Sequence, residues 1–441
     1  MIYKLFFLPI IVFFFTACGD VKTAETPIDN NDTIMVCKQS KQSNFYKNTI
    51  DSFQINAMDN LKLLVETAKP IQKDLTFDKS NLYKLFTTEY YWASLTSKTF
   101  DYSTYTNPQS LIDALKYRDD RWSFATTIEE YNRVMSQKSE GVGVRCQDFE
   151  SGCLVTYVRI DSPADRIDLR RGDVITKIDG VVATERLFYE EVQKKLTLNL
   201  EIVRSKSNEV CNGNITPREY RYKVVDGKVL KSLKQERVGY LRLDSFLGDT
   251  TIENQINRVF DEFKRDGIVK LIIDLRYNGG GSVDLASKLV DKLAINHIED
   301  EQFTLSWNSN YQNKNTIYRF KDSYNALNLK QIIFLTTKDS ASASELVISA
   351  MKPYLPESDL VIIGDRTHGK PVGMEGRSDT NYYYFIINFV VKNSLGFYDY
   401  FEGLPVTSGC RVADDPLHEM GDVNEAMLKT ALHYIDSGSC Q

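Results

Sequence analysis

The sequence predicts an α+β protein of several domains: helical near the N-terminus, then built of short strands, then an alternation of strands and helices. Its 441 residues, at roughly 150 per domain, give room for two or three cores. An aromatic content of 12% and a charged fraction of 26% exclude disorder. The net charge of −6 without a basic block argues against nucleic acid. We therefore expect protein, peptide or small-molecule partners.

The N-terminus has the pattern of a signal peptide. Residues 1–17, MIYKLFFLPIIVFFFTA, place Lys4 before a short apolar run that ends in small residues. The ending Thr16-Ala17-Cys18 resembles the lipobox of bacterial lipoproteins, which implies that Cys18 is the acylated first residue. We thus expect a lipid-anchored protein of the cell envelope that faces the periplasm or the exterior. An uncleaved anchor and a soluble secreted form are the alternatives.

Cysteine usage fits an oxidising compartment. Of the seven cysteines, six remain once Cys18 is assigned to lipid. Their pairing is open, although Cys146 with Cys153 and Cys410 with Cys440 are the economical pairs. No metal-type spacing occurs among the cysteines, and the four histidines are scattered, so neither a metal nor a cofactor is expected.

The first half of the chain divides by its pattern into a tether and a helical domain. Residues 18–45 comprise the lipidated cysteine and a polar tether. Residues 46–137 carry apolar residues at helical spacing, for example in IDSFQINAMDNLKLLV and IEEYNRVM, and predict an N-terminal helical domain. Tyr90, Tyr91 and Trp92 are interpreted as core in preference to a ligand-binding patch.

Residues 138–227 change to short strands and glycine turns. They resemble a PDZ domain of the type found in bacterial proteases, in the loop GVGV, in Ser-Pro-Ala at 162–164, in Gly172-Asp173 and in Ile-Asp-Gly at 178–180. A glycine-rich loop leaves backbone N–H groups free to bind a terminal carboxylate, and the adjacent strand edge can pair with a peptide. Without the other features, the loop would indicate only a tight strand entry. The predicted substrate-binding residues are Gly141, Val142, Gly143 and Val144.

Residues 228–441 alternate strands and helices. Strands are predicted in VGYLRLDSF, VKLIIDL, QIIFLTT and DLVIIG, with helices in TTIENQINRVFDEFK, SVDLASKLVDKLAI and SASASELVISAM. Further along, NYYYFIINFVVK predicts a pair of strands that completes the sheet, and VNEAMLKTALHYI a closing helix. This order predicts an α/β domain whose loops collect at one edge of the sheet.

Three motifs at those loops resemble the C-terminal processing, or tail-specific, peptidase family. They are Asp-Leu-Arg with Asn-Gly-Gly-Gly at 274–281, Ser-Ala-Ser-Ala-Ser-Glu at 340–345, and Gly-Asp-x-Thr-x-Gly-Lys at 364–370. The resemblance implies a protease core of the crotonase-like or ClpP-like type in residues 228–441. It also implies Ser342 as the nucleophile, Lys370 as its general base, and the N–H groups of Gly281 and Ala343 as the oxyanion hole.

The chemistry of such a dyad sets a requirement on the lysine. An ordinary lysine pKa of about 10.4 must be lowered by desolvation before the amine can accept a proton near neutral pH. The chain departs from the family at Met374, where many members carry a glutamine that orients the base. Some other group must then position Lys370, and His368 is a candidate for this role or for a second base. Asp414-Asp415-Pro416 is interpreted as a turn in preference to a cation site.

These observations predict a serine endopeptidase of the cell envelope that hydrolyses peptide bonds through an acyl-enzyme. The PDZ domain is expected to recruit substrates by their accessible C-terminal ends, or to gate the site. Two alternatives remain: a catalytically silent lipoprotein that binds peptides, favoured by Met374, and a small-molecule carrier built on the same core.

Overall fold

The computed structural model describes residues 32–38, 75–150, 152–248 and 250–441. Its first elements are strand β1, helices α1 and α2, strand β2 and helix α3, at Thr33–Lys38, Lys79–Thr88, Pro108–Leu115, Phe124–Thr127 and Ile128–Met135. The caps explain where the helices begin. Asp78 and Asn107 accept hydrogen bonds from N–H groups of the first turns of α1 and α2. The predicted helical segment at residues 50–65 lies outside the described residues.

The next region forms the PDZ-like unit. Its elements are β3 Lys138–Gly141, β4 Val144–Phe149, β5 Gly152–Val158, α4 Pro163–Arg166, β6 Val174–Ile178, β7 Val181–Val182, α5 Glu185–Gln193, β8 Leu198–Val203, β9 Val210–Ile215 and β10 Arg218–Arg221. The main sheet has the order β1-β9-β8-β6-β5-β4, with β7 on β6, while β10 pairs with β3. Apolar side chains from this sheet and from α5 form one core.

Strand β1 departs from the predicted tether. Residues 33–38 pair antiparallel with β9, and Cys37 is disulfide-bonded to Cys211. Met35 is buried on this edge of the sheet. Sequence patterning missed the strand because it is only six residues long and its partner lies 174 residues away along the chain.

The C-terminal region begins with the predicted α/β alternation. Its elements are β11 Val225–Lys231, β12 Arg237–Leu243, α6 Thr250–Arg265, β13 Lys270–Asp274, α7 Val283–Leu293, β14 Glu301–Trp307, β15 Thr316–Arg319, β16 Gln331–Thr336, α8 Ala343–Met351 and β17 Leu360–Gly364. Five strands form a sheet of order β11-β12-β13-β16-β17, parallel except for β11. The strands and helices predicted from 238 to 364 are confirmed to within three residues at each end.

The remaining elements are β18 Val372–Met374, β19 Arg377–Ser378, β20 Tyr382–Phe385, β21 Ile387–Asn393 and α9 Ala426–Ser437. The predicted strand pair is corrected by its topology, because β20 and β21 are not paired with each other and do not join the five-stranded sheet. Strand β21 joins the sheet β15-β14-β21-β18, and β20 joins β19-β20-β2. Helix α9 covers one face of the five-stranded sheet and ends at Gly438, whose φ of 75° suits glycine.

The N-terminal helices share a core with this last group of strands. Side chains of α1 and α2 and the indole of Trp122 pack against β18, β20 and β21. Tyr90 is fully buried there, as the core interpretation predicted, whereas Tyr91 and Trp92 are partly buried and pack against the same cluster. The region is not purely helical, because β2 adds to β20 in register. The N-terminal residues therefore pack as a layer of the C-terminal region.

Three disulfides lie within the described residues: Cys37–Cys211, Cys146–Cys153 and Cys410–Cys440. The last two are the pairs favoured by economy of sequence separation. None of the helices in the described part of the chain is long and apolar enough to cross a membrane. Cys18 and the predicted signal peptide lie outside the described residues.

Candidate active site

Ser342 stands where a strand turns into a helix. It is the N-cap of α8 and has φ 55° and ψ −112°, a backbone conformation that costs a non-glycine residue about 1–3 kcal/mol. Ser342 is partly exposed, whereas every other residue from Asp339 to Met351 is buried. The turn thus presents one hydroxyl at the surface of an otherwise buried segment, beside the N-terminus of a helix.

Glu345 connects this turn to the loop that carries Lys370. Its carboxylate is fully buried and accepts four hydrogen bonds. One oxygen accepts from the N–H of Ser342 at 2.9 Å and from the N–H of Lys370 at 2.8 Å. The other accepts from the Thr367 hydroxyl at 2.6 Å and from the Gly369 N–H at 2.7 Å. Burial raises the pKa of this carboxyl, and the four donors oppose that rise.

Lys370 lies at the end of a tight loop after β17. Gly369 makes the loop possible, because its φ is 91° and a Cβ there would lie 2.2 Å from the carbonyl oxygen of Phe401. Burial lowers the pKa of the Lys370 amine to about 8, while the carboxylates of Asp120 and Glu345 act in the opposite direction. The amine therefore meets the requirement set by the sequence: a substantial neutral fraction exists slightly above neutral pH.

The glycine turn after β13 packs against the Ser342 turn. A Cβ on Gly280 would lie 2.7 Å from the Cβ of Ser342, so only glycine fits there. Asn278 joins the two turns: its carbonyl accepts from the N–H of Ala341 at 3.0 Å and from the Ser344 hydroxyl at 2.9 Å. Its side chain accepts from the N–H of Gly280 at 2.9 Å. Sequence reasoning assigned Asn278 no role, although it belongs to the quoted motif.

The two predicted oxyanion donors differ from Gly280 in one respect. The N–H of Gly280 is used by Asn278, whereas those of Gly281 and Ala343 donate to no group among the described residues. Ala343 begins α8, where backbone N–H groups lack helical acceptors and the dipole favours negative charge. Free donors at this point can stabilise a developing oxyanion.

His368 is held through its Nε2, which accepts from the indole N–H of Trp122 at 3.2 Å. Burial lowers the pKa of His368, and the cations Arg121 and Lys370 lower it further. In a neutral ring whose Nε2 accepts from Trp122, Nδ1 carries the proton, so no lone pair is free and the geometry gives no support to His368 as a second base.

Met374 ends β18 and packs in the aromatic cluster of the N-terminal region. The loop between α2 and β2 also reaches this cluster: Trp122 bonds His368, and Arg121 donates to the carbonyl of Phe401 at 2.9 Å. Sequence reasoning missed this contribution, because 246 residues separate Trp122 from His368.

The four predicted peptide-binding residues span the turn from β3 into β4. Gly141 and Gly143 have φ of 117° and 80°, which favour glycine. Strand β4, which begins at Val144, is an edge of the main PDZ sheet, and Val192 of α5 lies beside Gly141. An edge strand next to a helix is the arrangement that accepts an extended peptide.

Charged contacts dock the PDZ-like unit onto the site. Arg171 donates to Asp414 at 2.6 Å and to the hydroxyl of Tyr277 at 2.9 Å, next to the glycine turn. Asp414 also pairs with Arg276, so its carboxylate is already used by two arginines. This arrangement agrees better with the predicted turn than with a cation site. Within the described residues, no group of three His, Cys, Asp or Glu side chains is placed to hold a metal ion.

A second contact lies closer to Ser342. Arg145, one residue after the GVGV loop, pairs with Asp339 at 3.0 Å, three residues before Ser342. Strand β4 and the Ser342 turn are therefore joined by a partly buried ion pair.

Comparisons with known proteins agree with this architecture. The family model described as Peptidase family S41 matches residues 237–381, and a PDZ domain model matches residues 154–196. A protein named "Probable CtpA-like serine protease" from Staphylococcus aureus strain N315 is 27% identical over 299 residues, which cover 66% of this chain and 56% of the relative. The protein of the same name from Staphylococcus haemolyticus strain JCSC1435 is 26% identical over 274 residues, covering 60% of this chain and 52% of the relative. The chain thus spans about half the length of these curated relatives.

The fold has a counterpart among solved structures. A crystal structure assigned to the S41 proteases, from Bacteroides fragilis NCTC 9343, superposes with a TM-score of 0.72 and 22% identity. The superposition covers 83% of this chain and 99% of the other, and it concerns the fold alone. The chain is therefore similar to a PDZ domain over residues 154–196 and to peptidase family S41 over residues 237–381, and it resembles proteins named as CtpA-like serine proteases.

Proposed function

We propose that the chain is a serine endopeptidase that cleaves exported proteins with a Ser342–Lys370 dyad. One observation carries this proposal: a single buried carboxylate, Glu345, accepts the backbone N–H groups of both residues and fixes the two turns together. The lowered pKa of Lys370, about 8, supports its role as the base.

The reaction follows from these groups. Neutral Lys370 takes the proton of the Ser342 hydroxyl as its oxygen attacks a peptide carbonyl, and the resulting ammonium returns that proton to the leaving amine. The N–H groups of Gly281 and Ala343 stabilise the tetrahedral oxyanion, for which losing one donor costs about 3–4 kcal/mol. Water then hydrolyses the ester on Ser342 and releases the acid product.

The PDZ domain supplies substrate recruitment in this proposal. The turn from Gly141 to Val144 binds the terminal carboxylate, and the free edge of β4 pairs with the last residues of the substrate. Deleting residues 138–227 should lower the cleavage rate of substrates with free apolar C-termini and change substrate choice. An unchanged rate and choice would refute recruitment or gating by this domain.

The decisive experiment is cleavage of casein by the fragment that begins at residue 32, compared with Ser342→Ala and Lys370→Ala. We expect both variants to lose activity while keeping the wild-type unfolding transition. If wild type and variants are equally inert from pH 6 to 10, the chain is a peptide-binding protein that keeps the fold without the chemistry.

We also propose that Cys18 is lipidated and anchors the protein in the cell envelope. The three disulfides support an oxidising compartment. Palmitate labelling of the full chain should be abolished by Cys18→Ser, which should also release the protein from membranes. Equal membrane association of both forms would instead indicate an uncleaved anchor.

A further inference from the structure

The loop between α2 and β2 lies against the segment that carries Lys370, although it precedes Ser342 by more than 200 residues. The indole of Trp122 donates to His368, two residues before Lys370. The hydroxyl of Ser123 accepts the N–H of Ile387 at 3.1 Å, which ties the loop to β21. Arg121 donates to the carbonyl of Phe401, which lies over Gly369. The loop is therefore fixed from three sides against the segment that carries Lys370.

At the centre of this loop is a buried carboxylate. Asp120 is 1% exposed and accepts four hydrogen bonds. One oxygen accepts from the N–H groups of Trp122 and Ser123, both at 2.9 Å. The other accepts from the hydroxyls of Tyr90 at 2.8 Å and Ser123 at 2.5 Å. An ionised carboxylate accepts hydrogen bonds and donates none, and all four contacts of Asp120 are with neutral donors. These contacts fit a negatively charged Asp120 side chain.

We propose that Asp120 and Trp122 are positioning residues for the general base, taking the place of the glutamine that Met374 replaces. Trp122 fixes the loop through His368, and the Asp120 charge stabilises the ammonium that Lys370 becomes when it accepts the Ser342 proton. This proposal rests on the proposed dyad.

The charge acts through space. The contacts of Asp120 are with its own loop and with Tyr90, so it does not hydrogen-bond the amine directly. Its field nevertheless opposes the effect of burial on the pKa of Lys370. The other ionisable groups facing Lys370 are Glu345 on α8, whose charge acts in the same direction, and His368, which is neutral.

Two more ionisable groups border the loop. Arg121 is a cation on the same loop as Asp120, and it lowers the pKa of His368. Tyr400 is buried near Glu345. Burial and the charge of that carboxylate both raise the pKa of the Tyr400 phenol, so the phenol stays neutral. Of the groups around the amine, Asp120 and Glu345 thus supply the negative charge. Only Asp120 comes from the N-terminal region.

The test is the pH dependence of Asp120→Asn in the fragment from residue 32. Removing the charge favours the neutral amine, so the acid limb of kcat/KM on casein should move to lower pH by roughly half a unit or more. The plateau of kcat should fall by up to about threefold for each half unit of that shift, because a base whose conjugate acid is less stable accepts a proton less readily. The matched control is Asp113→Asn, the same change on an exposed carboxylate of α2 that pairs with Lys116. The acid limb of the kcat/KM profile of Asp113→Asn should stay at the wild-type pH.

A second readout avoids dependence on substrate. The rate at which diisopropyl fluorophosphate labels Ser342 reports the same ionisation, and its acid limb should shift in parallel. Trp122→Phe keeps the Asp120 charge but removes the donor to His368, so kcat should fall about tenfold at constant KM with an unmoved limb.

The outcomes separate this inference from the proposed function. If wild type neither cleaves casein nor reacts with the reagent, the dyad itself fails. If wild type is active and Asp120→Asn lowers activity equally at every pH, Asp120 is merely structural and the inference is overturned. If Asp120→Asn does not fold, Trp122→Phe decides, and an unchanged kcat there overturns the inference.

Discussion

Replacing Glu345 by glutamine tests the connection between the Ser342 turn and the Lys370 loop. The amide carries one oxygen and one NH2 group, so two of the four present donors must face a donor. With NH2 at the Ser342 side, the N–H groups of Ser342 and Lys370 both lose their acceptor. With NH2 at the other side, the Thr367 hydroxyl, which already accepts from the N–H of Leu404 at 2.7 Å, can turn and accept the amide with its second lone pair, so Gly369 is the one of the three backbone donors that loses its acceptor.

The second orientation, with the amide NH2 facing Thr367 and Gly369, has the smaller free-energy cost. One backbone donor losing a charged acceptor in a buried site costs about 1.5–3 kcal/mol. If that cost appears in the transition state, at about 1.4 kcal/mol per factor of ten, kcat/KM should fall roughly 10- to 150-fold. Glu345→Ala leaves all four donors without an acceptor and should cost more than this.

The assay is casein cleavage, with thermal unfolding measured in parallel. Glu253→Gln is the matched control, because Glu253 is on the surface of α6 and pairs only with Lys288 among the described residues. It should leave kcat/KM unchanged. Activity of Glu345→Gln within about threefold of wild type would refute the idea that this carboxylate holds the dyad together.

Three further results are expected. Because Lys370 must be neutral to act and its pKa is about 8, kcat/KM should rise tenfold per pH unit below that value and level off above it, while Lys370→Arg should be inactive at every pH. Arg171→Met should lower the free energy of unfolding in urea by roughly 1.5–3 kcal/mol, because buried Asp414 loses one charged hydrogen bond and keeps Arg276; a loss below 1 kcal/mol would contradict this. Replacing Cys410 and Cys440 by serine opens a loop of 30 residues and should lower unfolding free energy by about 3.5 kcal/mol, a loss absent if the thiols are unpaired.

The parallel sheet was predictable because its strands carry their own signal. Residues 270–274 and 331–336 are nearly continuous apolar runs, and both faces of these strands are buried. One face packs against helices α6, α7 and α8, and the other face packs against α9. Local apolar patterning reports such burial directly, whichever strand becomes the neighbour.

Strand pairing between distant segments was less accessible. Phe124–Thr127 lies in a region of helical spacing, yet it is a strand because β20 offers it an edge more than 250 residues away. Likewise, the alternation in residues 381–392 indicated two strands but not that each would join a different sheet. Period-2 patterning identifies a strand without naming its partner.

The sequence by itself determined the order of the domains and the motifs around Ser342 and Lys370, because those depend on residues that are close together along the chain. Only the tertiary structure decided what surrounds them: that the Glu345 carboxylate accepts from both turns, that the Nε2 of His368 accepts from Trp122, and that Asp120 of the N-terminal region is close enough to influence the pKa of Lys370. These contacts depend on packing between segments that local spacing cannot relate. The pKa of Lys370 is decided in the same way, since burial and distant carboxylates set it.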